Sequence, residues 1–159
     1  MADRVNILVL CTVNSARSII GEVLVSAQPG LKGYSAGSTP KGQPHPMALS
    51  VLEDRGHDVS GVASKSWDVF AAPGAPKMQA IITVCDNAAN ESCPYWPGHP
   101  IQAYWGLPDP AAVEGPGQRA AFEAAYDALA PRIEALADLD FETRSASDLA
   151  HAIQAIHGR

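Results

Sequence analysis

The run VNILVLC, residues 5 to 11, constrains the fold more than any other stretch of the chain. It is apolar except for Asn6, and such an uninterrupted run of Val, Ile and Leu is typical of a strand that is covered on both faces of a parallel sheet. From residue 15 the apolar residues recur at helical spacing until Pro29 and Gly30. We therefore predict a strand, a tight loop and a helix over 15 to 27.

The same alternation of strand and helix continues along the chain. We predict a strand at 31–38, a helix at 45–56, a strand at 80–86, a short strand within 100–110 and a helix at 118–139. Right-handed crossovers then give a three-layer α/β fold, in which a four-stranded parallel sheet carries helices on both faces. Such sheets bind ligands at the carboxyl ends of their strands, where Cys11 and Cys85 both fall.

Length and charge limit the domain count and the partners. A chain of 159 residues that is 47% hydrophobic suits one core, so we expect a single domain over 1–159, with its core at about 5–138 and a last amphipathic helix at 146–157. The net charge of -6 disfavours nucleic acid and anionic membranes as partners. We find no apolar run of about 18 residues and no signal-peptide pattern, so we expect a cytoplasmic protein.

The chain has three cysteines, Cys11, Cys85 and Cys93. An odd number without a secretory signal argues against a disulfide framework. The histidines have no ligand spacing with the cysteines, so we expect neither a metal site nor a cofactor. By number alone, three buried thiols are the simplest interpretation.

The spacing around Cys11 indicates a second interpretation. Five residues separate Cys11 from Arg17, and Ser18 follows. A loop that opens a helix favours a thiolate, so Cys11 should titrate below the value of about 8.5 for a free thiol. The candidate oxyanion-binding residues are Thr12, Val13, Asn14, Ser15, Ala16 and Arg17. Their amides and the guanidinium can hold a tetrahedral anion, while Ser18 can donate to the sulfur. The alternative is a buried thiol, a solvated Arg17 and a Ser15 that caps the helix.

Four motifs together resemble a known family. The segments VLCTVNSARS, YSAGS (34–38), VCDNAANESCP and WGLPDP (105–110) are similar, in this order, to the arsenate reductases built on the low-molecular-weight tyrosine phosphatase fold. The resemblance covers residues 5 to 138.

The resemblance implies a reaction and its residues. Cys11 would be the nucleophile, Arg17 and the loop would bind arsenate with phosphate or sulfate as competitors, and Asp109 would be the general acid. Cys85 would attack the Cys11 adduct, release arsenite and leave a disulfide, which Cys93 would pass to the surface. The external reductant would be thioredoxin, or glutathione with glutaredoxin, or mycothiol.

Two other functions remain open. The first is a low-molecular-weight protein tyrosine phosphatase, although the sequence DPAAVEG lacks the aromatic residues that these enzymes carry after the general acid. The second is a noncatalytic oxyanion-binding or redox module, because Val13 stands where the pattern often has glycine and a positive φ there would cost about 1–3 kcal/mol. The segment SKS (64–66) falls where some relatives of this family place acidic ligands for a monovalent cation. In this chain, the ammonium group of Lys65 is a candidate to take the place of that cation.

Overall fold

Four parallel strands form one sheet in the computed structural model, which describes residues 5–84 and 100–157. The strands are β1 (Val5–Cys11), β2 (Leu31–Gly37), β3 (Ala80–Thr83) and β4 (Ile101–Tyr104), in the spatial order β2-β1-β3-β4. The register places Cys11 opposite Gly37 and Ile7 opposite Ala80. The predicted four-stranded parallel sheet is confirmed.

The helices also follow the predicted order. They are α1 (Arg17–Ser26), α2 (Pro46–Asp54), α3 (Asp68–Ala71), α4 (Gln118–Ala137) and α5 (Ala146–Ile156), with 3-10 turns at Pro110–Ala112 and Gly115–Gly117. The four longer helices lie within the predicted ranges, and α4 continues through Pro131. The single turn α3 and the 3-10 turns were not predicted, because a segment of three or four residues is too short to show a periodic pattern of apolar residues. Within the described residues, no helix has the length and apolar character needed to cross a membrane.

The side chains of β1 explain its uninterrupted apolar sequence. Successive side chains of a strand point to opposite faces of a sheet. Ile7, Val9 and Cys11 join the larger core with α1, α2, α4 and α5, whereas Leu8 and Leu10 pack in a smaller core beside α3. The strand is therefore buried on both faces, as the sequence predicts.

The topology determines where a ligand would lie. The chain passes from β1 to β2 on one side and then crosses to β3 on the other side of β1. In such a sheet the crevice opens where the direction of winding reverses, at the carboxyl end of the central strands. Residues 12 to 16 connect β1 to α1 at this point.

The end of β2 approaches this loop very closely. A Cβ atom on Gly37 would lie 2.4 Å from the carbonyl oxygen of Thr12 and 2.8 Å from that of Cys11. Both neighbours are backbone atoms, so they cannot move aside as a side chain can. Gly37 is therefore required for the loop to pack against β2.

The substitution Gly37→Ala should lower the free energy of unfolding by about 1–3 kcal/mol, because the added methyl group overlaps the backbone. Chemical denaturation measures this change. Gly61→Ala is the matched control, since a Cβ there has no heavy atom within 4 Å, and we expect a change within about 0.5 kcal/mol. Equal stability of the two variants would contradict the tight fit at Gly37.

Candidate functional site

The backbone of the loop after β1 has a defined orientation. The carbonyl oxygens of Thr12, Val13 and Ser15 accept hydrogen bonds of 2.8–2.9 Å from the N–H groups of Thr39, Lys41 and His45, respectively. In a trans peptide the N–H group points opposite to the carbonyl. The N–H groups of residues 13, 14 and 16 therefore point away from the segment 39–45, on the other side of the loop. Several backbone donors thus share one side of the loop, as anion binding requires.

One left-handed residue makes this turn possible. Asn14 has a φ of 48°, and among the described residues it is the only residue other than glycine with a positive φ. Asparagine adopts this region more readily than most residues. Val13 does not have a positive φ, so the strain considered for a β-branched residue at that position does not arise.

The first turn of α1 has no side-chain cap. The N-cap residue is Ala16, and no side chain accepts a hydrogen bond at this position. Ser15 is therefore not the N-cap of α1, and the interpretation that it caps this helix is wrong. The first N–H groups of a helix need acceptors from outside the helix, and its N-terminus favours negative charge. This end of α1 faces the loop that follows Cys11.

Arg17 and Asp109 lie together at the edge of the loop. The Nη1 atom of Arg17 donates to the carbonyl oxygen of Leu107 (2.9 Å), and Nη2 is 3.7 Å from Asp109 Oδ2. The Nε atom of Arg17 is buried without a hydrogen-bond partner. The Arg17 side chain is 13% exposed and that of Asp109 is 44% exposed, so the carboxylate faces solvent. Asp109 Oδ1 also accepts from the N–H of Ala111 (3.0 Å), so the carboxylate stabilises the turn as well.

Cys11 lies at the end of β1 and is 3% exposed. A structural thiol is buried, and so is a nucleophile on the floor of a loop that surrounds its substrate. Burial is therefore expected of Cys11 both as a structural thiol and as a nucleophile.

A buried polar network supports the loop. The buried polar residues of the described chain are Asn14, Ser15, Ser18 and Ser35, which all lie in or beside the loop. Asn14 Nδ2 donates to the hydroxyl oxygens of Ser18 (2.9 Å) and Ser35 (3.0 Å), and Asn14 Oδ1 accepts from the N–H of Lys65 (2.8 Å). Because both ends of the amide are bonded, the network fixes the position of Asn14.

Glu22 and Lys65 complete this network. Ser35 Oγ donates to Glu22 Oε1 (2.5 Å), which is 3.8 Å from Lys65 Nζ. Lys65 Nζ also donates to the carbonyl oxygens of Ala63 (2.7 Å) and Ser35 (3.2 Å). Burial raises the pKa of Glu22 above its ordinary value of 4.5, while the hydrogen bond from Ser35 and the charge of Lys65 act in the opposite direction without cancelling it. Glu22 is thus a support of the loop rather than a surface charge.

A comparison with protein families identifies the family of the chain. The family model described as low molecular weight phosphotyrosine protein phosphatase matches residues 6–145. The chain belongs to this family.

The solved structures that resemble this phosphatase-family chain include arsenate reductases and tyrosine phosphatases. The thioredoxin-dependent arsenate reductase Cg_ArsC1' of Corynebacterium glutamicum is 21% identical, with a TM-score of 0.60 over 97% of this chain and 64% of that one. An arsenate reductase in the phosphate binding state is 24% identical, with a TM-score of 0.69 over 84% of this chain and 96% of that one. The tyrosine phosphatase Wzb from Escherichia coli K30, in complex with sulphate, is 22% identical, with a TM-score of 0.60 over 84% and 96%.

The structural likenesses establish the fold, since at such identities solved structures show the fold alone. The family match establishes membership of the low molecular weight phosphotyrosine protein phosphatase family. The chain spans 64% of the length of the Corynebacterium reductase. No curated protein matches the sequence.

Some predicted residues lie outside the described part of the family fold. Cys85 and Cys93 fall within 85–99, so their geometry is not described. Of the described candidates, the structure brings Arg17 to Asp109 and Asn14 to Ser18. In residues 5–84 and 100–157, no three His, Cys, Asp or Glu side chains are grouped so that they can hold a metal ion.

The sequence did not reveal two residues that shape the site. Ser35 joins Asn14 to Glu22, and although it belongs to the YSAGS motif, the sequence gives no sign of these two partners. His45 caps α2, because its Nδ1 atom accepts from the N–H of Met47 (3.1 Å). Its ring also packs on Phe122, with 4.7 Å between the ring centroids, so His45 links the loop to α4.

The substitution Glu22→Gln tests the charge balance of the network. The pKa of Glu22 is higher in the folded protein than its ordinary value of 4.5. Above pH 4.5, the folded protein therefore holds this proton more tightly than the unfolded chain does. The stability of the wild type should therefore fall, relative to the non-titrating variant, as the pH rises from 4.5 through the folded pKa. Urea denaturation between about pH 4 and pH 7 measures the difference.

The control for this experiment is Glu53→Gln, which removes an exposed carboxylate on α2 and gives the background effect of the charge change. A Glu22→Gln variant that does not gain stability relative to wild type across the same pH range would contradict the burial of the carboxylate.

Proposed function

We propose that this member of the phosphatase family is an arsenate reductase that reduces arsenate to arsenite with its own thiols. The observation that carries the proposal is the position of Arg17, which starts the helix after the Cys11 loop and lies 3.7 Å from the Asp109 carboxylate. A cationic donor thus lies beside a candidate acid, at the end of the loop that follows the candidate nucleophile. A nucleophile, a positive charge that stabilises the oxyanion and an acid for the leaving group suit transfer of a tetrahedral oxyanion.

The first step is an attack by the Cys11 thiolate on arsenic. Arg17 and the loop N–H groups hold the arsenate oxygens, and Ser18, whose oxygen accepts from Asn14, keeps its hydroxyl proton for donation to the sulfur. An S–As bond forms and an As–O bond breaks. Asp109 gives a proton to the departing oxygen, which leaves as water.

The second step transfers the electrons. The Cys85 thiolate attacks the sulfur of Cys11, an S–S bond forms, and the electron pair of the S–As bond remains on arsenic, which leaves as arsenite. Cys93 then attacks Cys85, which releases Cys11 and leaves a Cys85–Cys93 disulfide. An external thiol donor, thioredoxin or glutathione with glutaredoxin, reduces this disulfide and completes the cycle.

Two features of the sequence favour reduction over phosphate ester hydrolysis. Hydrolysis needs neither Cys85 nor Cys93, whereas the relay needs both. Two alanines follow Asp109-Pro110, so no aromatic side chain stands there to clamp a phenyl ring. A small inorganic oxyanion suits this site better than a phosphotyrosine side chain.

A tyrosine phosphatase is the second candidate, and one pocket favours it. An apolar pocket of about 180 Å³ lies against Asp109, between Leu107, Val113 and the alanines of α4 at 121, 124, 125 and 128. Apolar walls beside a candidate acid can receive an aryl group. We therefore expect hydrolysis of small aryl phosphates as a side activity of the reductase, or as the main activity if no arsenite forms.

The decisive assay measures arsenite production by the wild type and by the variants Cys11→Ser, Cys85→Ser and Cys93→Ser. Each is tested with the thioredoxin system and with glutathione plus glutaredoxin. The relay predicts that the wild type is active and that each substitution abolishes turnover, because each serine interrupts the transfer of electrons.

Hydrolysis of 4-nitrophenyl phosphate serves as the internal control in every sample. Cys11→Ser should lose it, whereas Cys85→Ser and Cys93→Ser should retain it. Hydrolysis without arsenite production would identify a phosphatase. Arsenite production that survives Cys85→Ser would reject the intramolecular relay, and phosphate binding without any turnover would indicate a noncatalytic module.

A further inference from the structure

The last helix lies beyond the family match and yet contacts the segment that carries Asp109. The match ends at residue 145, directly before α5 (Ala146–Ile156). The apolar face of α5, formed by Leu149, Ile153 and Ile156, is buried in the larger core. The helix packs against the edge strand β4, from which the chain continues to Asp109.

Gln154 hydrogen-bonds to the end of β4 as a further strand would. The N–H of Tyr104 donates to Gln154 Oε1 (2.9 Å), and Gln154 Nε2 donates to the carbonyl oxygen of Tyr104 (2.8 Å). At the next residue, Trp105 Nε1 donates to the carbonyl oxygen of Ile153 (2.8 Å) in the interior. These three hydrogen bonds fix both the backbone and the side chain where β4 ends.

His157 holds the following residue. Its Nε2 atom is 3.2 Å from the carbonyl oxygen of Gly106, and because a carbonyl only accepts, Nε2 carries the hydrogen. The ring also packs on Tyr104, with 5.7 Å between the ring centroids. Gly106 cannot be replaced without movement, since a Cβ there would lie on the hydroxyl oxygen of Tyr104.

The residues that α5 contacts are followed directly in the chain by those that contact Arg17. Helix α5 and His157, the residue after it, bond to residues 104, 105 and 106, while the carbonyl of Leu107 and the carboxylate of Asp109 face Arg17. We propose that α5 is a positioning element of the candidate site, in which Gln154 and His157 hold residues 104–106 so that Leu107 and Asp109 meet the Arg17 guanidinium. The proposal rests on oxyanion binding by the loop, and it does not depend on whether the reaction is reduction or hydrolysis.

The test uses Gln154→Ala, which removes both bonds to Tyr104, and His157→Phe, which keeps a ring beside Tyr104 but removes the donor to Gly106. The control is His151→Ala on the same helix, because His151 is exposed. Inorganic phosphate is titrated into each protein by calorimetry. We expect Gln154→Ala and His157→Phe to weaken phosphate binding about three- to tenfold, while His151→Ala binds as the wild type.

A second readout separates positioning from loss of stability. If the variants hydrolyse aryl phosphates, the loss should be greater for phenyl phosphate, a poor leaving group, than for 4-nitrophenyl phosphate, because the poor leaving group depends more on Asp109. A lower melting temperature with unchanged phosphate affinity and unchanged leaving-group dependence would overturn the proposal. Wild type that binds phosphate but makes no arsenite rejects the reductase and leaves this proposal standing, whereas wild type that binds no phosphate rejects both.

Discussion

The candidate site depends on the hydrogen bonds of one side-chain amide. Asn14 is fully buried, adopts a left-handed backbone, and bonds through both ends of its amide to Ser18, Ser35 and the backbone of Lys65. A residue without this amide leaves a buried N–H or hydroxyl group unpaired, which costs about 1–3 kcal/mol for each group. The amide holds the turn at Asn14, and the backbone hydrogen bonds to Thr39, Lys41 and His45 set the direction of the loop peptides. Hydrogen bonds therefore hold the loop geometry.

The proposed anion site is compatible with an acidic protein because the charges that act on it are local. The chain carries a net charge of -6, but charges beyond about 8–10 Å are largely screened at physiological ionic strength. Near the loop, the Glu22 carboxylate lies 3.8 Å from Lys65 Nζ, and the Asp109 carboxylate lies 3.7 Å from the Arg17 guanidinium. The pairing of Glu22 with Lys65 thus prevents a buried negative charge from opposing an oxyanion beside it.

The sequence predicted the sheet and the long helices because their periodicity extends over many residues. Only the resemblance assigned Arg17 and Asp109 to one site, and their 3.7 Å approach was not predicted, because nothing in the spacing of two distant residues shows that they meet. The roles of Ser35 and of Gln154 could not be predicted, because each acts through a hydrogen bond to a residue that is far away in sequence. The helix at 146–157 was predicted from its apolar face, but that face does not indicate its contacts with residues 104–106.

The most direct test of the central claim is the rate at which Cys11 reacts with iodoacetamide as a function of pH, in a Cys85→Ser/Cys93→Ser background where Cys11 is the remaining cysteine. If the loop dipoles and Arg17 hold the sulfur as a thiolate, the rate should reach half its maximum well below the value of about 8.5 for a free thiol, and phosphate should slow it. A midpoint at the value for a free thiol, with no protection by phosphate, would contradict the account.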